Sequence, residues 1–331
     1  MESNLSGILC WFKIKTLVTI FLKLIRDDIM AEFFIVKEEE KIESFLPLNI
    51  RLGEKLENEN ILIFDENDLF IKEANKVFEN CFDNISIDLR NNKHLIGNKE
   101  KQIPANINSF LNDSFQKVQF FIKKAFPFYG SSIKPFMSSF VPLFEKKSVN
   151  MPLLLHHFSF HPMNGDRILT ICVNLDLKKS FNFITTKFDF DYIAKKMVGK
   201  HQFPLPSREN ESLKKKLENK IRTLYKKIGF DFSPSSPYDA FMFRLYKFLE
   251  EKKDFHKENE IIKKEIKSYQ SCLFFSDSIP HNIELGSAHL TFSFVLPRYS
   301  LLNPEKSPIS ILERMSKEVM KEAKVAYFKK N

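Results

Sequence analysis

Four signatures are missing from this chain of 331 residues, and their absence narrows the classes of function. There is no G-x-G-x-x-G and no P-loop, so a parallel sheet built around a nucleotide is not indicated. There is no G-x-S-x-G, so Ser276, Asp277 and His281 lack the nucleophile elbow that a hydrolase reading would need. The four cysteines, Cys10, Cys81, Cys172 and Cys272, are far apart and form no C-x-x-C pair. That argues against a structural zinc site and a disulfide scaffold, and fits the reducing cytoplasm. Glycine is scarce, at 8 residues, so few turns are pre-marked in the sequence.

A clean membrane span is missing too. The apolar stretch from Ile8 to Ile25 is interrupted by Lys13, Lys15 and Lys23, whereas a spanning helix needs about 20 mainly apolar residues. No small-residue cleavage site follows it, which speaks against a signal peptide. Two readings stay open: an amphipathic helix lying on a membrane surface, or translation that starts at Met30. The expected organisation is an N-terminal extension over residues 1–29 and a single domain over residues 30–331, with ample length for a large core.

What the chain has in abundance is phenylalanine, 36 residues, read here as core filler before any stacking role. The formal net charge is +9. A basic surface suits nucleic acid, an anionic membrane or an acidic sugar. The lysines are scattered, and most sit beside glutamate, as on a solvated mixed-charge surface. No stacking-plus-basic pattern accompanies them, so no nucleic-acid partner is expected.

Periodicity marks the elements. Ile61–Phe64 reads as a short buried strand, 65–82 as a helix and Asn84–Asp88 as a strand, followed by a polar loop from Arg90 to Ile103. Ala105–Ala125 carries Ile107, Phe110, Leu111, Phe115, Val118, Phe121 and Ile122 at helical spacing. Pro127, Gly130 and Pro135 break that pattern before a strand at Ser138–Phe144. Arg167–Leu175 is β-branched and alternating, hence a strand, entered through a turn at Gly165 and Asp166. Helices are expected over Glu209–Ile228, between Ser207 and Gly229, and over Asp239–Lys253, started by Ser236, Pro237 and Asp239. Ser271–Ser276 and His289–Leu296 read as strands. In the second, Leu290, Phe292, Phe294 and Leu296 face one way and His289, Thr291 and Ser293 the other. Ser307–Lys324 reads as a terminal helix. Strands and helices mix without βαβ alternation, which predicts an α+β fold with a mainly antiparallel core.

Three clusters can carry chemistry: His156, His157 and His161; Ser276 to His281; and His256-Lys257-Glu258. Oxygen-activating iron enzymes hold the metal with two histidines and a carboxylate on one face. Two of those ligands come as H-x-D or H-x-E, because residues i and i+2 of a strand share a face. The only literal H-x-E is His256–Glu258, at the end of a helical pattern and close before His281. His281 follows a strand and a proline and is the better ligand candidate. His156 and His157 are adjacent, so on a strand only one of them can share a site with His281.

Several runs, taken in order, resemble a known family over roughly the last three quarters of the chain. The first is Leu153-Leu154-Leu155-His156-His157-Phe158, with His161-Pro162, Gly165 and Arg167-Ile168-Leu169. The second is Ser236-Pro237-Tyr238-Asp239, with Met242, Arg244-Leu245, Phe248 and Phe255. The third is Phe275-Ser276-Asp277, His281, Gly286, Leu296-Pro297, Ser307-Pro308 and Leu312-Glu313-Arg314. Together they resemble the hydroxylases of 3-deoxy-D-manno-oct-2-ulosonic acid (Kdo), the inner sugar of bacterial lipopolysaccharide.

The resemblance implies a double-stranded β-helix, or jelly roll, with flanking helices. It implies Fe(II), 2-oxoglutarate and oxygen, and hydroxylation of Kdo at carbon 3. The acceptor it implies is Kdo-lipid A or a related anionic glycolipid, met by a cytoplasmic protein at the inner-membrane surface. His281 matches the family's distal iron ligand. Aligned on Gly165 and Arg167-Ile168-Leu169, the family's H-x-D falls on Leu154-Leu155-His156, so leucine stands at the first ligand position and histidine at the carboxylate position. The metal ligands expected here are therefore His156 and His281. Arg167 or Arg298 is expected to meet the carboxylate of 2-oxoglutarate or of Kdo by charge-assisted pairing. The alternative is a family member that kept the fold and lost the metal, and now binds or regulates.

Overall fold

A computed structural model describes residues 19–20, 33–37, 45–64, 77, 85–88, 93–96, 99–100, 102–141, 153, 163–176, 178–200, 205, 236–251, 260–268, 270–284 and 288–316. In chain order its elements are β1 (Thr19–Ile20), β2 (Phe33–Lys37), α1 (Phe45–Glu57), β3 (Ile61–Phe64), β4 (Ile85–Asp88), β5 (Lys93–Ile96), β6 (Lys99–Glu100), α2 (Ala105–Ala125), β7 (Lys134–Val141), β8 (Arg167–Asn174) and β9 (Phe181–Thr186). There follow α3 (Phe190–Lys200), α4 (Pro237–Glu251), β10 (Ile261–Ile266), β11 (Ser271–Phe275), β12 (His281–Glu284), β13 (His289–Leu296) and α5 (Pro308–Ser316). The helix expected over 65–82, apart from Val77, which is helical, the helix expected over 209–228, and the His156 and His256 clusters lie outside the described residues.

Ten strands form one sheet in the order β1-β2-β3-β11-β8-β13-β7-β4-β5-β6, and three form a second in the order β10-β9-β12. Every pairing is antiparallel except β2 with β3. The α+β expectation with a mainly antiparallel core therefore matches the architecture. Among the described residues, no helix is long and apolar enough to cross a membrane.

Two sequence patterns account for most of the packing. The apolar stripe of α2 lies on the large sheet, with the Phe115 ring 4.6 Å from Phe294 and 6.2 Å from Phe292. The period-2 pattern of β13 supplies the matching face, since Leu290, Phe292, Phe294 and Leu296 are all buried in that core. Lys123 and Lys124 close α2, where positive charge complements the helix dipole. On the other face of the large sheet, Ile61, Ile63, Cys172, Cys272 and Phe274 pack with Phe181, Phe183 and Ile266 of the small sheet. A third apolar cluster joins Ile168, Val295 and Phe136 to α3, α4 and α5.

Two local expectations are corrected. The polar stretch from Arg90 to Ile103 contains β5 and β6, paired Leu95 with Glu100 and Ile96 with Lys99. These strands sit at the edge of the sheet, where lysine and other polar residues are the usual protection against further pairing. The strand expected at Ser138–Phe144 starts earlier, at Lys134, and includes Pro135; its described part ends at Val141, and residues 142–144 lie outside the described residues. Its neighbour β4 pairs only with Met137 to Phe140, and β13 shifts register between Ser293 and Phe294 beside Pro135. The proline thus occupies a stretch where one side of the strand has no partner to receive its missing N–H.

The start of α4 follows its signal. Asp239 N donates to Ser236 Oγ at 3.1 Å, and Ser236 Oγ donates to Asp239 Oδ2 at 2.6 Å. The carboxylate also reaches across the fold, accepting Met163 N at 2.8 Å and Asn164 N at 3.3 Å. That turn holds two left-handed residues, Asn164 at φ 52° and Gly165 at φ 89°. A Cβ on Gly165 would lie 2.3 Å from Ile309 Cδ1, so glycine is required there both by backbone and by space.

Candidate active site

β11 ends at Phe275, and a buried connection from Ser276 to Pro280 leads to His281, the first residue of β12. The connection is tight because Ser278 N and Ile279 N both donate to Phe275 O, at 3.3 and 3.2 Å. It is tied to β8 by Ser276 N donating to Ile168 O at 2.9 Å, and to β9 by Thr185 Oγ1 donating to Pro280 O at 2.8 Å. β12 then pairs with β9, His281 opposite Thr185.

His281 is 5% exposed. Its ring stacks on Phe183, with centroids 5.6 Å apart and planes at 4°, and meets Phe274 edge-on at 4.6 Å. Nδ1 lies 2.7 Å from Ile279 O. A carbonyl can only accept, so Nδ1 carries the proton and Nε2 carries the lone pair of the neutral ring. This is the arrangement by which proteins orient metal-binding imidazoles, with a carbonyl on one nitrogen and the other turned to the ion. Opposite Phe274 on β8, Thr170 Oγ1 joins Ser276 Oγ at 2.8 Å and Ser293 Oγ at 3.1 Å, a hydroxyl cluster on three neighbouring segments.

Arg167 lies on the other face of β11. Its guanidinium sits 4.0 Å above the Phe275 ring, whereas His281 packs on Phe274. Nε donates to Asp277 Oδ2 and Nη2 to Ser278 Oγ, both at 2.8 Å, and the residue is fully buried. Nη1 has no hydrogen-bond partner among the described residues. Asp277 Oδ1 accepts Ile168 N at 3.3 Å. Burial pushes the Asp277 carboxyl above its ordinary range, against the pull of Arg167. Burial by itself would lower the Arg167 pKa, but its acidic neighbours, Asp277 foremost, outweigh it and hold the guanidinium charged.

Glu59 completes this knot. It adopts φ 61°, and its Oε2 accepts Phe190 N at 2.7 Å. Desolvation raises its pKa to about 8, with Arg167 opposing and Asp189 and Asp277 reinforcing. One arginine thus serves two buried carboxyl groups, and the neutral form of Glu59 relieves the imbalance.

The four residues singled out in sequence therefore fall in different places. His281 is in the inter-sheet pocket of aromatic rings, and His156 lies outside the described residues. Arg167 pairs with Asp277, and Arg298 Nη1 donates to Glu313 Oε2 at 2.8 Å on the half-buried surface near α5. Among the described residues no group of three or more His, Cys, Asp and Glu side chains is gathered as for a metal. The sequence placed Asp277 and Ser278 in a cluster able to carry chemistry without pairing them with Arg167, and it did not single out Glu59. A signal existed for that pairing: an arginine opening an apolar strand needs a buried carboxylate, and Asp277 belongs to one of the runs quoted above.

Comparison with known proteins gives a consistent picture. The model of a family described as 3-deoxy-D-manno-oct-2-ulosonic acid (Kdo) hydroxylase matches residues 46–319. No curated protein matches. Among solved structures, the Kdo hydroxylase KdoO, described as a non-heme Fe(II) alphaketoglutarate-dependent dioxygenase, is similar in its complex with alphaketoglutarate and Fe(III). That similarity has a TM-score of 0.71 at 21% identity, covering 89% of this chain and 100% of the other. The cobalt(II) complex of KdoO is similar with a TM-score of 0.69 at 22% identity, covering 88% of this chain and 98% of the other.

Proposed function

Because the chain belongs to the Kdo hydroxylase family, we propose that it is an Fe(II)- and 2-oxoglutarate-dependent dioxygenase that hydroxylates Kdo at carbon 3 of a Kdo-lipid A acceptor. The two sheets are read as the walls of a double-stranded β-helix, within one domain over residues 30–331. The setting is the cytoplasmic side of the inner membrane, where the net charge of +9 suits an anionic glycolipid.

The observation that carries this reading is the His281 imidazole. It is buried between aromatic rings, and its Nδ1 donates to Ile279 O, so Nε2 is the nitrogen whose lone pair would coordinate the metal. The donor chemistry at that position fits a ferrous ion. His156 supplies the second nitrogen in this proposal. Iron with 2-oxoglutarate and oxygen supplies the oxidising power that places a hydroxyl on carbon. The chain's own contribution is to orient His281 and to keep water from its ring with Phe183 and Phe274. Arg167 and Arg298 each have a carboxylate partner within the chain, so neither is assigned to the co-substrate. The test is turnover by purified protein with Fe(II), 2-oxoglutarate and Kdo-lipid A. Succinate and an acceptor carrying one additional oxygen are expected, and both are lost in His281→Ala. No succinate from the wild-type protein overturns the proposal.

A second reading rests on Leu154. A hydrocarbon at the family's first ligand position cannot bind iron, and His156 in place of the carboxylate leaves no acidic ligand. On this reading the chain keeps the fold and binds lipopolysaccharide precursors or regulates a partner. Metal analysis of freshly purified protein separates the two, since stoichiometric iron eliminates the second.

A further inference from the structure

We propose that the Arg167–Asp277 pair positions the His281 imidazole, acting through the connection between β11 and β12. The inference rests on the reading of His281 as a metal-binding side chain. Its physical basis is a chain of short contacts in which no link touches the ring until the last.

Asp277 spends both carboxylate oxygens on the start of β8, Oδ2 on Arg167 Nε at 2.8 Å and Oδ1 on Ile168 N at 3.3 Å. Arg167 reaches the next residue as well, Nη2 to Ser278 Oγ at 2.8 Å, while its guanidinium plane lies over Phe275. Residues 275, 277 and 278 are therefore all held by one side chain from a neighbouring strand. Ile279 follows directly, and its carbonyl receives His281 Nδ1 at 2.7 Å.

The aromatic neighbours cannot do this by themselves. Stacking on Phe183 fixes the plane of the imidazole, but a ring turned by half a revolution stacks equally well. The Ile279 carbonyl does tell the two nitrogens apart, because it accepts from Nδ1 alone. Where that carbonyl sits depends on the connection that Arg167 and Asp277 pin. A buried guanidinium offers this service without competing for the metal, because it has no lone pair to give.

The test uses the metal-free full-length chain labelled with 15N in histidine, at a pH where imidazoles are neutral. Long-range proton–nitrogen correlation reads the tautomer of each ring, and His281→Gln assigns the signal. The wild-type chain is expected to show His281 protonated at Nδ1. Asp277→Asn is expected to move it to a mixture of tautomers while the His289 ring keeps its pattern. The double variant R167M/D277L removes both buried charges together, so it folds even where a single variant does not, and the same mixture is expected. Ser278→Ala, which removes only one leg of the clamp, shifts the signal less. Cobalt(II) titration should show affinity about 10–100-fold weaker in Asp277→Asn, the usual effect of losing an outer-shell support. A His281 pattern unchanged in folded D277N or R167M/D277L overturns the proposal, as does a mixture already present in the wild type. The ring signals decide the clamp whether or not cobalt is taken up. Failure of the wild-type chain to bind cobalt overturns the metal reading instead.

Discussion

Along β8, Leu169, Ile171 and Val173 enter the apolar core under α2, whereas Arg167, at the start of the same strand, meets Asp277 and Ser278 and lies within the electrostatic reach of Glu59. The apolar stretch is held by buried area, which is non-directional and tolerant of shape as long as volume is kept. The polar end is held by particular partners at particular distances, and any one of them removed strands the others in a medium that cannot solvate charge. The difference explains why the site-bearing connection is anchored at the polar end. Area holds a sheet together, but only directional bonds fix the orientation of one ring.

Breaking the polar end should have the larger effect. Arg167→Met leaves Asp277 buried without its cation, and a loss of about 3–5 kcal/mol in unfolding free energy is expected, as for other broken buried pairs. The double variant R167M/D277L should recover most of it, read by urea denaturation. Equal stability of single and double variants would show that the pair is not what anchors this end.

A titration sharpens the contrast further. Glu59 has its pKa raised from the ordinary 4.5 to about 8. Between those values the folded protein holds a proton that the unfolded chain has released. Its contribution is therefore full below pH 4.5, declines through the window from 4.5 to 8, and is flat above. The decline is at most about 1.4 kcal/mol per pH unit. Glu59→Gln should flatten stability against pH over that window and be the more stable protein at pH 8. A wild-type curve as flat as that of the variant would place the carboxylate in the charged form and remove the imbalance argument.

The smallest effect belongs to the apolar end. Ile171→Val removes one methylene from a core in which neighbours can relax, and about 0.5–1.5 kcal/mol is expected with no change in pH dependence. A larger loss would mean that this core, too, depends on shape.

Legibility in the sequence followed the same division. α2 and β13 were readable to the residue because their patterns repeat many times, and each repeat votes for the same face. The small sheet was not, because Ile261–Ile266 reads IIKKEI and His281–Glu284 reads HNIE, neither of which alternates cleanly. Their strand character comes from pairing with β9. His281 stood out through its family position, while the arginine opening β8 called for a buried carboxylate without saying that Asp277, four residues before His281, would supply it. Glu59 did not stand out, because it has no sequence neighbour that demands it.

Local pattern by itself determined the α+β character, the helix under the large sheet, the alternation of its central strands and the turn at Gly165, because each depends on residues close together in the chain. Only the tertiary structure decided that Arg167 binds Asp277, that Glu59 is held near pH 8, and that the Ile279 carbonyl orients His281. Those outcomes depend on which distant segments share a buried volume, where desolvation makes a charge seek its partner wherever the fold has put it.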